Sequence, residues 1–159
     1  MLITDDKKFM QLAIDKAKVG ISQGQTPFGS CIVQEGKVIG LAHNTVWKDS
    51  DITQHAEMHA IRAACRKLRR VDISGAVIYS TCEPCPMCFS AIHWAGISRI
   101  VYGARISDAK KAGFRELAIP VRKMAAMGGC RISIAAGFMR KENLALFCIW
   151  KKRRDRKAY

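Results

Sequence analysis

The sequence predicts an α/β protein, a sheet of several strands covered by helices. Three observations lead there. Short apolar runs suited to strands alternate along the chain with longer stretches patterned for helices. At 159 residues, 49% of them hydrophobic, the chain can bury a proper core and is too apolar for disorder. No repeat or low-complexity linker divides it, so one domain over residues 1–159 is expected. No apolar run approaches the roughly 20 residues of a membrane span.

The elements follow in order. Residues 5–22 read as an amphipathic helix, with Phe9, Leu12, Ala13 and Ala17 at helical spacing and Gly20 and Gly24 near its end. Ser30 to Gln34 and Lys37 to Ala42 read as two strands joined through Glu35-Gly36, a hairpin signal. A loop rich in Asn44, Asp49, Ser50 and Asp51 follows. A helix then runs from near His55 to about Arg70. Its apolar face is Ile61, Ala64 and Leu68, opposite a stripe of Arg62, Arg66, Arg69 and Arg70.

Ala76 to Ser80 is a continuous apolar run, as in a strand covered on both faces. Met87 to Ala95 reads as a helix stopped by Gly96. Arg99 to Tyr102 is another buried strand, residues 107–128 are short helix and loop, and Arg131 to Ala135 forms a last strand. A final helix runs from Glu142 to about Arg156 with Leu144, Phe147 and Trp150 inward.

The net charge is +14, from 27 basic and 13 acidic residues. Much of it sits in the arginine stripe and in Lys151 to Lys157. Such surfaces can hold RNA or another anion. Neither cluster is interleaved with the aromatics that stack unpaired bases, so a solvated basic surface is the first reading and a nucleic-acid partner the second. Seven cysteines are an odd count, and three of them cluster. That pattern favours a reducing compartment and metal chemistry over a disulfide framework. The opening Met1-Leu2-Ile3-Thr4-Asp5-Asp6-Lys7 has no signal-peptide stretch, and a cytoplasmic location is expected.

Two short motifs carry chemistry: His55-Ala56-Glu57, and Pro84-Cys85-Pro86-Met87-Cys88 about thirty residues on. One imidazole and two thiolates are zinc ligands, and three protein ligands leave a tetrahedral position open for water. Zinc brings such a water's pKa from 15.7 to roughly 7. Glu57 is not needed as a ligand and is free to move protons. H-x-E followed by P-C-x-x-C is the signature of zinc deaminases acting on bases.

Other readings compete. Cys82 as a fourth ligand would close the site and make it structural, whereas a buried thiol ending a strand is the plainer expectation. His55 and His59 are four apart, as in H-E-x-x-H metalloproteases, but Glu57 stands at the wrong position of that motif. A packed or hydrogen-bonded His59 is expected. Glu83 is expected to hold backbone at the helix entrance. Residues two apart on a helix point to different sides, so His55 and Glu57 can share a site only where the helix begins. Cys85 also opens a helix, with Cys88 one turn inward, so two helix N-termini would converge on the metal and favour thiolates.

At these residues the chain resembles the zinc-dependent cytidine/deoxycytidylate deaminase superfamily, and within it the bacterial guanine deaminases. Pro27-Phe28-Gly29, Asn44, the two motifs, Ala91-Ile92-His93-Trp94-Ala95 and Asp108 to Phe114 match in order and spacing over about residues 8–116. Trp150 and Tyr159 match again beyond them. The resemblance implies a three-layer α/β/α cytidine-deaminase-like fold with a five-stranded mixed sheet. It also implies a homodimer in which the segment of about 141–159 is exchanged.

The resemblance makes His55, Cys85 and Cys88 the Zn2+ ligands and Glu57 the proton shuttle. Phe28 would stack on the base, Asn44 and the Ala56 backbone would hydrogen-bond it, and Trp94 would wall the pocket. Tyr159 would close it from the partner chain. Where guanine deaminases often carry Asp-Asp after Ala-Gly-Phe, this chain has Arg115-Glu116, so Glu116 would read the purine edge with a longer arm. The expected activity is hydrolytic deamination of a free nucleobase, guanine first. The alternatives are tRNA adenosine, a pyrimidine or other small heterocycle, and a non-catalytic RNA-binding module with a structural zinc. Nothing but catalysis explains Glu57.

Overall fold

The computed structural model describes residues 5–159. The leader reading falls partly on residues 1–4, which lie outside the described residues. The chain runs α1 (Asp6–Ser22), β1 (Gly29–Gln34), β2 (Lys37–His43), α2 (Val46–Asp49), α3 (Ala56–Leu68), β3 (Val77–Cys82), α4 (Pro86–Trp94), β4 (Arg99–Ala104), α5 (Ile106–Ala112), α6 (Val121–Met127), β5 (Ser133–Ala136) and α7 (Arg140–Lys151).

The five strands form one mixed sheet in the order β2-β1-β3-β4-β5. β1 lies antiparallel to β2 and to β3, while β3, β4 and β5 are parallel. The β1–β2 connection is a two-residue turn in which Glu35 (φ 50°) and Gly36 (φ 72°) both take positive φ. That geometry matches the twist of paired strands, and glycine at the second position adopts it without strain.

Side chains alternate across the sheet. Cys31, Val33, Tyr79 and Val101 face a core shared with Phe9, Ala13, Leu146, Phe147 and Trp150, beneath α1 and α7. Ile32, Ile78 and Ile100 face a second core with Ala60, Ala64, Ile92 and Val121, beneath α3, α4 and α6. The central strands are therefore covered on both faces, as their unbroken apolar runs predict, and the architecture is the three-layer cytidine-deaminase-like fold. Gly40 lets α3 lie hard against β2: a Cβ there would stand 2.3 Å from the Ala60 carbonyl oxygen. That close approach sets α3, and with it the His55 end of the helix, on the sheet.

Asp6 and Arg99 form an ion pair at the edge of the first core. Asp6, 1% exposed, accepts from Tyr79 Oη at 2.6 Å and from Arg99 Nη1 and Nη2 at 2.9 and 2.7 Å. Removing one member of a buried pair strands the other charge, which costs about 3–5 kcal/mol. Asp6→Ala is expected to lower the unfolding free energy by that amount, read as a lower denaturant midpoint at unchanged slope.

The final helix differs from expectation. It begins at Arg140 and ends at Lys151 rather than near Arg156. Asn143, Leu146, Phe147 and Trp150 form its buried face, and Leu144 is only partly buried. The phase i, i+3, i+4, i+7 chooses that face. The cations after Lys151 repel one another and leave the helix, and Arg153 turns to Asp155 at 2.7 Å. Among the described residues no helix is long and apolar enough to cross a membrane.

Candidate active site

Two loop-to-helix junctions build the site. His55 is the N-cap of α3 with extended backbone (φ −68°, ψ 153°). Its side chain therefore leaves the helix line and can share a site with Glu57. Cys85 is the N-cap of α4 (φ −69°, ψ 169°) with Pro86 at the first helical position. Proline has no N–H to lose there and its φ suits the helix. Cys88 follows one turn in.

The three side chains converge. Cys85 Sγ and Cys88 Sγ each lie 3.6 Å from His55 Nδ1, and the three donor atoms all fall within 4.8 Å of one another. Zinc bonds of about 2.3 Å to sulfur and 2.05 Å to nitrogen at the tetrahedral angle require an S···N separation of about 3.6 Å. The donor set and its spacing fit zinc with one position left open. Among the described residues this is the one such group.

The two thiols have opposite pKa shifts. A hydrogen bond from Cys88 pushes Cys85 down to about 4, with burial opposing and His55 helping. Cys88, whose proton serves Cys85 in a buried setting, rises well above the ordinary thiol range. His55 is also raised: burial opposes its charge, but Cys85 and Glu57 outweigh that. Cys88 must lose its proton and His55 must be neutral to bind metal, so loading releases protons and affinity falls with falling pH.

Glu57 is 6% exposed and lies beside the ligand group. Ser80 Oγ donates to its Oε1 at 2.8 Å, and Cys88 Sγ is 3.5 Å from its Oε2. Burial raises its pKa, opposed by His55. Cys82 ends β3, lies outside the ligand group and points its thiol at the Arg105 carbonyl at 3.6 Å. It is the buried thiol rather than a fourth ligand. His59 Nε2 is 2.6 Å from Thr45 Oγ1, a packed and bonded helix residue. Glu83 holds backbone, at entrances other than its own: its carboxylate accepts from Ile106 N–H at 3.1 Å and Val121 N–H at 3.0 Å, the first residues of α5 and α6.

Metal retention should follow this geometry. Cys85→Ala is expected to lose the single zinc, and Cys82→Ser to keep it with both loops in place. Metal analysis of the purified variants decides, and equal loss in both would remove the open three-ligand site.

The remaining expected residues gather on one side, with one exception. A small cavity of about 20 Å3, water-sized, is bounded by Phe28, Asn44, Glu57, Cys82, Glu116 and Tyr159, among others. Phe28 stands edge-on to Phe114 with ring centres 4.9 Å apart. Ala56 is the first residue of α3, so its N–H is one of the helix-end amides that lack an intrahelical partner. Asn44 Nδ2 donates to Tyr159 Oη at 2.7 Å, while its Oδ1 accepts from Val46 N–H at 3.0 Å. Glu116 is half-buried, and burial, then the Cys85 charge, pushes it up to about 7. Beyond Tyr159 an outer cavity of about 370 Å3 is bounded by Ile52, His55, Pro86, Met87, Glu116 and Leu117.

Trp94 does not wall this pocket. It ends α4, 85% exposed, because that helix carries it away from Cys85 and Cys88 toward solvent. Tyr159 comes from the same chain. The segment after α7 is held by Arg115 N–H donating to Tyr159 O at 2.8 Å and by Trp47 Nε1 donating to Lys157 O at 2.9 Å. Ser80, Trp47 and the Arg115 backbone make contacts around the site that sequence reasoning missed. A tryptophan among the polar residues 44–51 was a usable signal for Trp47, which the structure places in α2. Ser80 within an apolar strand gave none.

Chemistry, fold and sequence agree on a class. The chain belongs to the family of the cytidine and deoxycytidylate deaminase zinc-binding region, which matches residues 3–104. It is a deaminase, hence a hydrolase, and zinc is its cofactor, with His55, Cys85 and Cys88 assembled to hold it. It is 41% identical over 107 residues to guanine deaminase of Bacillus subtilis, covering 67% of this chain and 69% of that one. It is also 41% identical over 96 residues to the tRNA-specific adenosine deaminase of Aquifex aeolicus, covering 60% of this chain and 64% of that one. A solved structure of guanine deaminase from Nitrosomonas europaea superposes with TM-score 0.84 at 25% identity, over 96% of this chain and 88% of that one.

Proposed function

We propose that the protein converts guanine and water to xanthine and ammonia. The observation that carries this reading is Tyr159, bonded to Asn44 across the inner cavity at 2.7 Å. A side chain standing there must withdraw to admit a base and can return over it. Such closure suits a free base and leaves no path for a polynucleotide.

Bound zinc supplies Lewis acidity that makes a water acidic near neutrality. Glu57 takes a proton from the attacking water as it adds to C2. It gives that proton to the ring nitrogen, then takes the second proton from the new C2 hydroxyl and gives it to the amino group, which departs as ammonia as the C2 carbonyl forms. Burial raises its pKa, against His55, which makes it a stronger proton acceptor than an exposed carboxylate. Ser80 holds its Oε1 in place. Phe28 stacks on the ring, Asn44 and the Ala56 N–H bond its polar atoms, and Glu116 accepts from the N1–H and 2-amino donors. Tyr159 excludes water. In the structure these groups lie in one chain, and a homodimer that exchanges residues 141–159 would bring the same set together.

The second reading, tRNA adenosine deamination, rests on the +14 charge and on relatives such as the Aquifex enzyme. Ammonia release from zinc-loaded protein separates the readings. Guanine should react, with adenine, cytosine, isocytosine, cytidine and an anticodon stem-loop near background. Turnover of the stem-loop with steeply salt-dependent binding would favour tRNA. Turnover of cytosine or cytidine would favour a pyrimidine.

A further inference from the structure

α4 carries the Cys85 and Cys88 junction at one end and His93 in its last turn at the other. α6 ends at Met127, and Gly128 and Gly129 turn the chain, Gly129 with φ +63°. Cys130 N–H closes that turn onto the Ala125 carbonyl at 2.8 Å. The turn delivers Cys130 against α4, where its Sγ lies 3.3 Å from His93 Nδ1. The pair borders an open hollow of about 130 Å3 with Phe89, Ser90, Trp94 and Gly128 on its other sides.

The other thiols are placed differently. Cys31 and Cys82 are buried. Cys85 and Cys88 belong to the metal group. Cys65 Sγ faces the Val71 carbonyl at 3.9 Å, as a donor. Cys148 is exposed on α7, and among the described residues its thiol has no hydrogen-bond partner. Cys130 thus combines a neighbouring base, an open approach and independence from the metal. A thiol paired with an imidazole is the arrangement that activates nucleophilic cysteines.

We propose that Cys130 and His93 form a reactive thiol site, remote from the metal centre, that takes low-molecular-weight disulfides entering the hollow beside Trp94. His93 accepts the Cys130 proton. The thiolate attacks one sulfur of the disulfide, a new S–S bond forms to Cys130 and the old one breaks. The leaving thiolate takes the electron pair and recovers the proton from His93. Thiol plus disulfide gives mixed disulfide plus thiol, with no further oxidant.

The test treats zinc-loaded protein with glutathione disulfide at neutral pH and follows each cysteine by peptide mass spectrometry. Cys148, in the same chain, is the reference for an exposed thiol without a base. Cys130 should form its adduct at least about tenfold faster than Cys148. His93→Ala, at an exposed position, should bring Cys130 down to the Cys148 rate with zinc content unchanged. A Cys130 rate at or below that of Cys148 overturns the proposal. So does a His93→Ala chain whose Cys130 reacts as before.

Discussion

Glu57→Gln is expected to lower turnover by about 10²–10⁴-fold, and further if one group handles every proton, while zinc content and fold stay intact. The amide keeps the size of the side chain and still accepts the Ser80 hydrogen bond, made at 2.8 Å in the parent. It cannot take a proton from water or return one to a leaving amine. Stability should not fall either. Burial already disfavours the ionised carboxylate, so a neutral isostere relieves a desolvation cost. The measurement pairs metal content and a thermal melt with single-turnover kinetics on the preferred substrate. Near wild-type rates in Glu57→Gln would rule out the shuttle role. A melt collapsed with the zinc would point instead to a structural carboxylate.

Much of the fold and the core of the site were legible because both rest on local patterns. The apolar runs at 76–80 and 99–102 mark β3, which starts one residue later at Val77, and β4, since a strand buried on both faces needs continuous apolar residues. The H-x-E and P-C-x-x-C motifs read correctly because each is one helix entrance, whose geometry follows from a few neighbouring residues. Proline at the first position of α4 is itself such a signal. What went astray depends on distance in space. Trp94 lies six residues beyond Cys88 on one helix, about 9 Å along its axis, and no local rule says which way the last turn faces. The end of α7 was misplaced because charge repulsion among Lys151 to Lys157 competes with helix continuation. The Asn44–Tyr159 bond spans 115 residues of sequence, and only the folded chain brings its ends together.

Glu116→Ala is expected to lower guanine kcat/KM by roughly 10²–10⁴-fold without loss of zinc. Guanine presents N1–H and the 2-amino group as adjacent donors on one edge, and an ionised carboxylate accepts both. Hydrogen bonds to a charged group contribute about 1.5–3 kcal/mol each, so losing two gives that range. A site built for such donors rejects analogues lacking them by up to about 10⁴–10⁵, and adenine and cytosine lack the pair. The pH dependence has a definite sign. Burial, then the Cys85 charge, raises Glu116 to about 7. The protonated form accepts less and is favoured by acid, so guanine kcat/KM falls as pH drops through that group's pKa, and Glu116→Ala loses this limb. The tail is tested by Tyr159→Ala rather than by deletion from Trp150, because Trp150 is buried in the α1–α7 core and its loss would unfold what the experiment needs. Tyr159→Ala removes the bond to Asn44 and opens the cavity to water, so turnover should fall with the melt unchanged. If Glu116→Ala and Tyr159→Ala both keep normal guanine kinetics, or the parent ignores guanine, the purine-edge reading fails and the zinc deaminase assignment stands without it.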